Sequence, residues 1–363
     1  MRSRIKKNMI LFFIYKKLTD SDYKTALKDY LNNTNVKPEE TVRKEVALIK
    51  DFWKCDPMHY YRYRLFEKDL SYEELIDYVP SYYFYNHYMP SIYGNFKTLP
   101  VIDSKIRMND YFRTRNIDTP ATVAIIKKGN IFDPAGQKLL YNELAQKLRA
   151  SGSPAFFVKP DKGKGGSGIF TIKKTIDRFI IDTVIMDEKL FASRTRNKDF
   201  IIQESISQRS DIKAINQTSV NTLRVITQRS GKNYKIPAVV LRIGRNGSYV
   251  DNSAQGGISV NIDIESGQLN KYAFTEHTNE KFTRHPDSGF TFEGFALRDW
   301  DKIKQGILDY AAKAPEFPDV AWDIAIMEER ITVIEINLNY GIDHLQCCIG
   351  GMRRRLNINP EVF

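Results

Sequence analysis

The chain has 363 residues, of which 42% are hydrophobic and 12% aromatic; that suits two or three packed lobes and is too much for one small core. No apolar run approaches the ~18 residues of a membrane-spanning helix, and three cysteines, two of them the adjacent Cys347 and Cys348, make a poor disulfide framework and fit a reducing compartment. The net charge of +11 is uneven: residues 1–50 carry twelve Lys/Arg against six Asp/Glu, and with no nucleic-acid-binding motif downstream the excess points to an anionic membrane or a phosphorylated substrate rather than to DNA or RNA.

Taken from the N-terminus, "MRSRIKKNMILFFIYKKL" has a basic start and a short apolar block, Met9 to Tyr15, but no small-residue cleavage site follows. It reads as an N-terminal helix that touches a membrane surface, on a protein expected in the cytoplasm, peripheral at the inner membrane face. Residues 1–95 read as mainly helical. Their segment "YVPSYYFYNHYMPSIYG", Tyr78 to Gly94, either stacks on a sugar ring or, more commonly for such residues, packs against a neighbouring lobe. From Val101 to Ala150 the pattern is mixed, with a helix expected through Leu139–Arg149. Strands dominate thereafter: "AFFVKP" and "GIFTI" flank a glycine-rich loop as a hairpin, and "KDFIIQESI" is an apolar run ending in polar residues. "NTLRVITQ", "KIPAVVLRIG" and "GISVNIDI" alternate as half-buried strands do. "RDWDKIKQGILDYAAKA" has helix spacing, and "AWDIAIMEERITVIEIN" reads as a strand hairpin. Hairpins and helices without regular βαβ alternation predict an α+β architecture.

The last hairpin carries chemistry of its own. With a turn at Glu328, Glu329 and Arg330, Met327 faces Ile331 and Asp323 lies opposite Glu335, their Cβ atoms ~4.5–5.5 Å apart. Asn337 shares that face, while Trp322, Ile324, Ile326, Ile334 and Ile336 point into a core. Two opposed carboxylates repel unless one takes a proton or a cation joins them, and carboxylate and amide oxygens are ligands that Mg²⁺ accepts. A solvated surface strand, or a slip of one residue that puts the two acids on opposite faces, remains open on spacing alone. In "VKPDKGKGGSGIF" the glycines Gly163, Gly165, Gly166 and Gly168, with Ser167, let backbone N–H groups approach a phosphate, and Lys159 precedes them on a strand. This is not a P-loop, which runs from strand to helix and ends in Gly-Lys-Ser/Thr. In "IIQESISQRSD" an exposed strand end can read a base edge, and Asp211, seven residues beyond Glu204, can reach ribose hydroxyls.

A lysine on a strand, a glycine loop, a strand-end hinge, arginines on strands and a final Asp…Glu-x-Asn hairpin, in that order, resemble ATP-grasp enzymes over roughly Lys105 to Gln346. The resemblance implies two α+β lobes sandwiching ATP, with a mainly helical N-terminal extension. Its domains are residues 1–95, a pre-lobe and small nucleotide-binding lobe at 96–207, and a large lobe at 208–363. Lys105 in "DSKIRMNDYFRTRNIDTP" matches the early nucleotide lysine, and the corner at Asn116–Pro120 lacks the family's usual glycine. Lys159 matches the second lysine, Gly163 to Gly168 the lid over the phosphates, Gln203, Glu204, Ser205 and Ile206 the hinge region, and Asp211 the ribose acid. Arg224 in "NTLRV" matches a phosphate-facing arginine. Arg242, Asn252, Gly256 and Gly257 in "LRIGRNGSYVDNSAQGG" match the glutamate-ligase-type segment for substrate, and Asp323, Glu335 and Asn337 match the magnesium ligands. The wording "NTLRVIT", "DNSAQGGISVNID" and "AWDIAI…VIEINLNYGIDHLQ" looks most like the sugar-transfer-associated ATP-grasp proteins, with the teichuronopeptide type as near neighbours.

That resemblance implies an ATP- and Mg²⁺-dependent ligase that joins a small-molecule carboxylate to an amine through an acyl phosphate. Arg224 and Arg242 would stabilise the developing charge, and no nucleophilic Ser, Cys or His is required. The expected partner is an amine-bearing sugar or polysaccharide precursor in surface polysaccharide (capsule) synthesis. The rival is a kinase on the same scaffold that phosphorylates a hydroxyl, with Asp251 as proton acceptor. A non-catalytic sugar- or nucleic-acid-binding module would leave Lys159, Asp323 and Glu335 idle.

Overall fold

Helices and two antiparallel sheets make up the chain, as an α+β reading requires. The computed structural model describes residues 21–94, 99–163, 165–248, 251, 256–276 and 280–360; the basic N-terminal segment lies outside them. Two units are distinguished. One comprises Met1–Phe96, Tyr272–Lys281 and Asn339–Phe363, the other Lys97–Lys271 and Phe282–Leu338.

The first unit is mainly helical. Helix Glu39–Trp53 follows Pro38, carries Glu39 and Glu40 in its first turn and buries Val42, Ile49 and Trp53. Acids there complement the helix dipole, and the apolar spacing fixes which face turns inward. The aromatic segment forms short helices around one π turn, Phe84–Tyr88. Its rings are mostly core: Tyr83, Phe84 and Tyr88 are buried, Phe84 packs edge-on to Tyr340 at 5.1 Å, and Tyr82 is exposed. Helix Ile342–Ile349 is bound in by Gln346, which donates Nε2 to Tyr63 Oη (2.8 Å) and to the Val79 carbonyl (2.9 Å). Its Oε1 accepts the Val79 N–H at 2.7 Å. All three cysteines are free thiols.

The second unit holds the strands, apart from residues 272–275 and Lys281, which fall in the first. Strands β1 (Thr122–Lys127), β2 (Asn130–Phe132), β3 (Lys138–Leu139), β4 (Ala155–Pro160), β5 (Phe170–Lys174), β6 (Phe179–Ile181), β7 (Val184–Ile185) and β8 (Phe200–Glu204) form one sheet in the order β3-β2-β1-β8-β4-β5-β6-β7. Its alternating apolar residues, Phe156, Val158, Ile172 and Ile202 among them, meet Leu144 and Leu148 of helix Tyr141–Ala150. The expected β4–β5 hairpin pairs Val158 with Phe170, so the glycine loop joins two adjacent strands.

The other sheet comprises β9 (Thr222–Ser230), β10 (Asn233–Ile243), β11 (Ile258–Ile262), β12 (Leu269–Thr275), β13 (Lys281–Phe282), β14 (Asp319–Ile326) and β15 (Ile331–Asn337), in the order β13-β12-β11-β10-β9-β14-β15. Every residue of β14 is buried, as an interior strand covered on both faces requires. Helix Lys105–Thr114 starts where the glycine loop leaves β4. Asp161 accepts the Ser104 hydroxyl (2.7 Å) and the Ile106 N–H (3.0 Å) on its carboxylate, and its carbonyl accepts the Lys105 N–H.

The β14–β15 register corrects the sequence reading in one respect. Ile326, not Met327, lies opposite Ile331, and the Met327 N–H closes the turn on the Arg330 carbonyl. That offset alone would separate the two acids. A bulge between the Ile324–Val333 and Asp323–Glu335 rungs absorbs one extra residue, Ile334, and sets Asp323 opposite Glu335 as expected. Ile334 is therefore not turned into the core with Trp322, Ile324 and Ile336. It lines the same cavity as Glu335.

Candidate active site

Within the second unit, the end of β4, the glycine loop, the end of β8, helix Lys105–Thr114 and the β9, β10, β14 and β15 strands surround one cavity. Lys105, Lys159, Gly163, Gly165, Gly166, Ser167, Gln203, Glu204, Ile206, Arg242, Asp323 and Glu335 line it. Lys105, first residue of its helix, donates Nζ to the Gly163 carbonyl at 2.8 Å and so reaches the root of the loop. Gly168 does not line the cavity; it lies against Pro160, whose Cγ would stand 3.2 Å from a Cβ at that position. The four loop glycines all have positive φ (129°, 69°, 73° and 76°), a backbone course that L side chains adopt rarely.

Lys159 extends from β4 and donates Nζ to Gln203 Oε1 at 3.0 Å. Burial, aided by the Lys105 charge and opposed by Glu335, draws its ammonium down to about 8. At the strand-end hinge, Glu204 and Ser205 use their N–H groups on the carbonyls of Ala121 and Ala155. Glu204 and Ile206 line the cavity and Ser205 does not. Asp211 is also not among the lining residues. It sits in the short helix Ser210–Lys213, where Arg209 grips its carboxylate through Nε (2.7 Å) and Nη2 (2.9 Å).

The carboxylates lie among cations. Asp323 is buried and takes Arg224 Nε at 2.5 Å, Arg224 Nη2 at 3.0 Å and Arg242 Nη1 at 3.0 Å. Burial alone would raise its carboxyl, but the two guanidiniums outweigh that and hold it below the ordinary range. Glu335 goes the other way: burial and the Asp323 charge push it up, against the pull of Asn337 and Arg224. Asn337 donates Nδ2 to Glu335 (3.2 Å) and to Asp323 (3.4 Å). Among the described residues no group of three or more His, Cys, Asp or Glu is arranged to hold a metal ion. Two carboxylates and one amide are nevertheless an oxygen donor set of the kind Mg²⁺ takes when phosphate oxygens complete its shell, and the raised Glu335 carboxyl is the group a cation would relieve. Arg242 reaches the cavity; Arg224 stands behind Asp323 and is not a lining residue.

Asn252, expected at the substrate end, lies outside the described residues. Gly256 accepts the Arg245 Nε donor on its carbonyl, and neither it nor Gly257 lines the cavity. Asp251 does line it. Burial raises its carboxyl against the pull of Arg242, and it accepts both the N–H and the hydroxyl of Thr222. Sequence reasoning missed Met108, Asn109 and Phe112 on helix Lys105–Thr114, and Ile334. None carries a motif, and helix periodicity marks only which of them face inward.

A family model described as sugar-transfer associated ATP-grasp matches residues 84–358. No curated protein is significantly similar in sequence. Solved structures with a similar course include an ADP complex of an N5-carboxyaminoimidazole ribonucleotide synthetase (11% identity, TM-score 0.38, covering 67% of this chain and 47% of that one). They also include D-alanine-D-alanine ligase from Helicobacter pylori (11%, 0.38, 72% and 59%) and a D-cycloserine synthetase (10%, 0.42, 73% and 71%). The chain thus spans about half of the first of these and under two thirds of the second.

Proposed function

This chain belongs to the sugar-transfer associated ATP-grasp family, and we propose from that membership that it is an ATP- and Mg²⁺-dependent ligase forming an amide between a carboxylate and an amine through an acyl phosphate. One observation carries the reading: Lys105, Lys159 and a positive-φ glycine loop converge on the same cavity as the buried Asp323 and the half-buried Glu335 opposed to it. Lys105 and Lys159 hold the nucleotide phosphates. Asp323, Glu335 and Asn337 would hold Mg²⁺, which supplies positive charge beside the β- and γ-phosphates. The substrate carboxylate attacks the γ-phosphorus, and its oxygen takes the phosphoryl group as ADP leaves. Arg242, which faces the cavity, stabilises the tetrahedral oxyanion when the amine attacks; its collapse breaks the bond from the acyl carbon to the phosphate oxygen, inorganic phosphate leaves and the nitrogen gives its proton to solvent, while Arg224 orients Asp323. The glycine loop closes over the site and keeps water from the acyl phosphate. Asp211, Ser205, Asn252, Gly256 and Gly257 stay assigned to nucleotide or substrate by resemblance alone.

The family's association with sugar transfer supports an amine-bearing sugar, or a polysaccharide precursor, as the acceptor, with an amino acid attached to it at the cytoplasmic face of the membrane. Transfer of the phosphoryl group to a hydroxyl is the rival, and the cavity-facing Asp251 is what it draws on. The test is ADP release across a panel of amino acids and sugar acids with hydroxylamine present. Hydroxamate from one acid is the expected result. ADP with a stable phosphorylated product and no hydroxamate would replace the ligase by a kinase.

A further inference from the structure

Asn109 lies one turn beyond Lys105 on helix Lys105–Thr114, and it lines the nucleotide cavity while only 8% exposed. Asparagine is a poor choice for a helix interior, less favourable there than alanine, so something other than helix formation holds it there. Its Oδ1 accepts Gln203 Nε2 at 3.2 Å and the Thr122 hydroxyl at 3.1 Å. Gln203 also donates Nε2 to the Pro120 carbonyl at 3.3 Å, and its Oε1 accepts the Lys159 ammonium at 3.0 Å.

The three contacts on Gln203 leave its amide one orientation. Both partners of Nε2 are acceptors, and the partner of Oε1 is a cation. Turned over, the amide would set N–H groups against an ammonium and an oxygen against two oxygens. Lys159 rides on a flexible stem and is fixed only by what receives its hydrogen bonds. We propose that Asn109 is a positioning residue: with Thr122 behind it, it locks the Gln203 amide and thereby holds the Lys159 ammonium at the cavity wall for the nucleotide. This rests on the nucleotide reading above.

MgADP titrated calorimetrically into the full chain tests it without knowledge of the acceptor. Asn109→Ala, a substitution the helix favours, should weaken MgADP binding about tenfold, the scale of one charge-assisted hydrogen bond made loose. In a Lys159→Met background the same substitution should cost nothing further, because the residue acts through the lysine. Thr122→Val, which removes the second anchor of Asn109, should weaken binding in the same direction and serves if Asn109→Ala does not fold. Unchanged affinity in Asn109→Ala, or an equal loss in the Lys159→Met background, overturns the assignment. Absence of MgADP binding by the unmodified chain removes the nucleotide reading and this inference with it.

Discussion

Asp323 and Glu335 occupy one rung of a β-ladder, and their surroundings shift the two carboxyls in opposite directions, which separates the effects of removing them. Glu335→Ala relieves a carboxylate that burial already disfavours, so it should abolish turnover with the unfolding midpoint unchanged or raised. Asp323→Ala removes the carboxylate that the buried Arg242 and the part-buried Arg224 share and should cost about 3 kcal/mol of stability as well as activity; denaturant melts beside an ADP-release assay distinguish the two. Lys159 gives a pH signature. Burial lowers its pKa from 10.5 to about 8, so in the free protein the ammonium is present below that pH and lost above it. MgADP affinity should therefore fall as pH rises through about 8, and a Lys159→Arg variant, charged throughout, should not show that fall. Stability runs the other way. Between about 8 and 10.5 the unfolded chain holds a proton that the native residue has released, so this group's destabilising effect, full below pH 8, is relieved as pH climbs through that window.

Among the elements, those with strict periodicity were legible in the sequence. The alternation of "NTLRVITQ" and "GISVNIDI" became β9 and β11, and the glycine-bounded runs became the β4–β5 hairpin. The bulge at Ile334 was not legible, because a single extra residue in a strand is decided by what packs on each face rather than by local pattern. The turn's offset of one residue and the bulge cancel each other, which restores the Asp323–Glu335 pairing that simple alternation predicts. Asn109 was equally hidden: its role depends on Gln203, 94 residues away. Turns give a cleaner test of local geometry. Gly247 and Gly267 have nearly the same φ (70° and 72°). A Cβ on Gly247 meets nothing within 4 Å, whereas on Gly267 it would lie 2.6 Å from Trp300 Cγ. Gly247→Ala should cost about 1 kcal/mol from backbone strain alone. Gly267→Ala should cost about 2 kcal/mol more, by displacing a buried indole from its bond to the Ile264 carbonyl. Urea denaturation of both variants reads the difference.

At the scale of the whole molecule, the helical unit is assembled from three separate stretches of chain, and Gln346 is where the last of them grips the first. With its side chain buried and three hydrogen bonds made to Tyr63 and Val79, Gln346→Leu should destabilise that unit by about 2–4 kcal/mol through the polar groups left unpaired. Hydrogen exchange should show the loss in residues 58–93 as well as in the helix that carries the substitution. Connectivity of this kind imposes an order on biosynthesis. The β-rich unit lies almost wholly between the two parts it separates, so it can fold on the ribosome while the N-terminal helices still wait for their partner. At roughly 5–20 residues per second, that wait lasts on the order of ten seconds to a minute. Throughout it, the aromatic side chains destined for the helical core have no finished core to enter, and a nascent chain stalled before residue 339 would present them to chaperones and proteases.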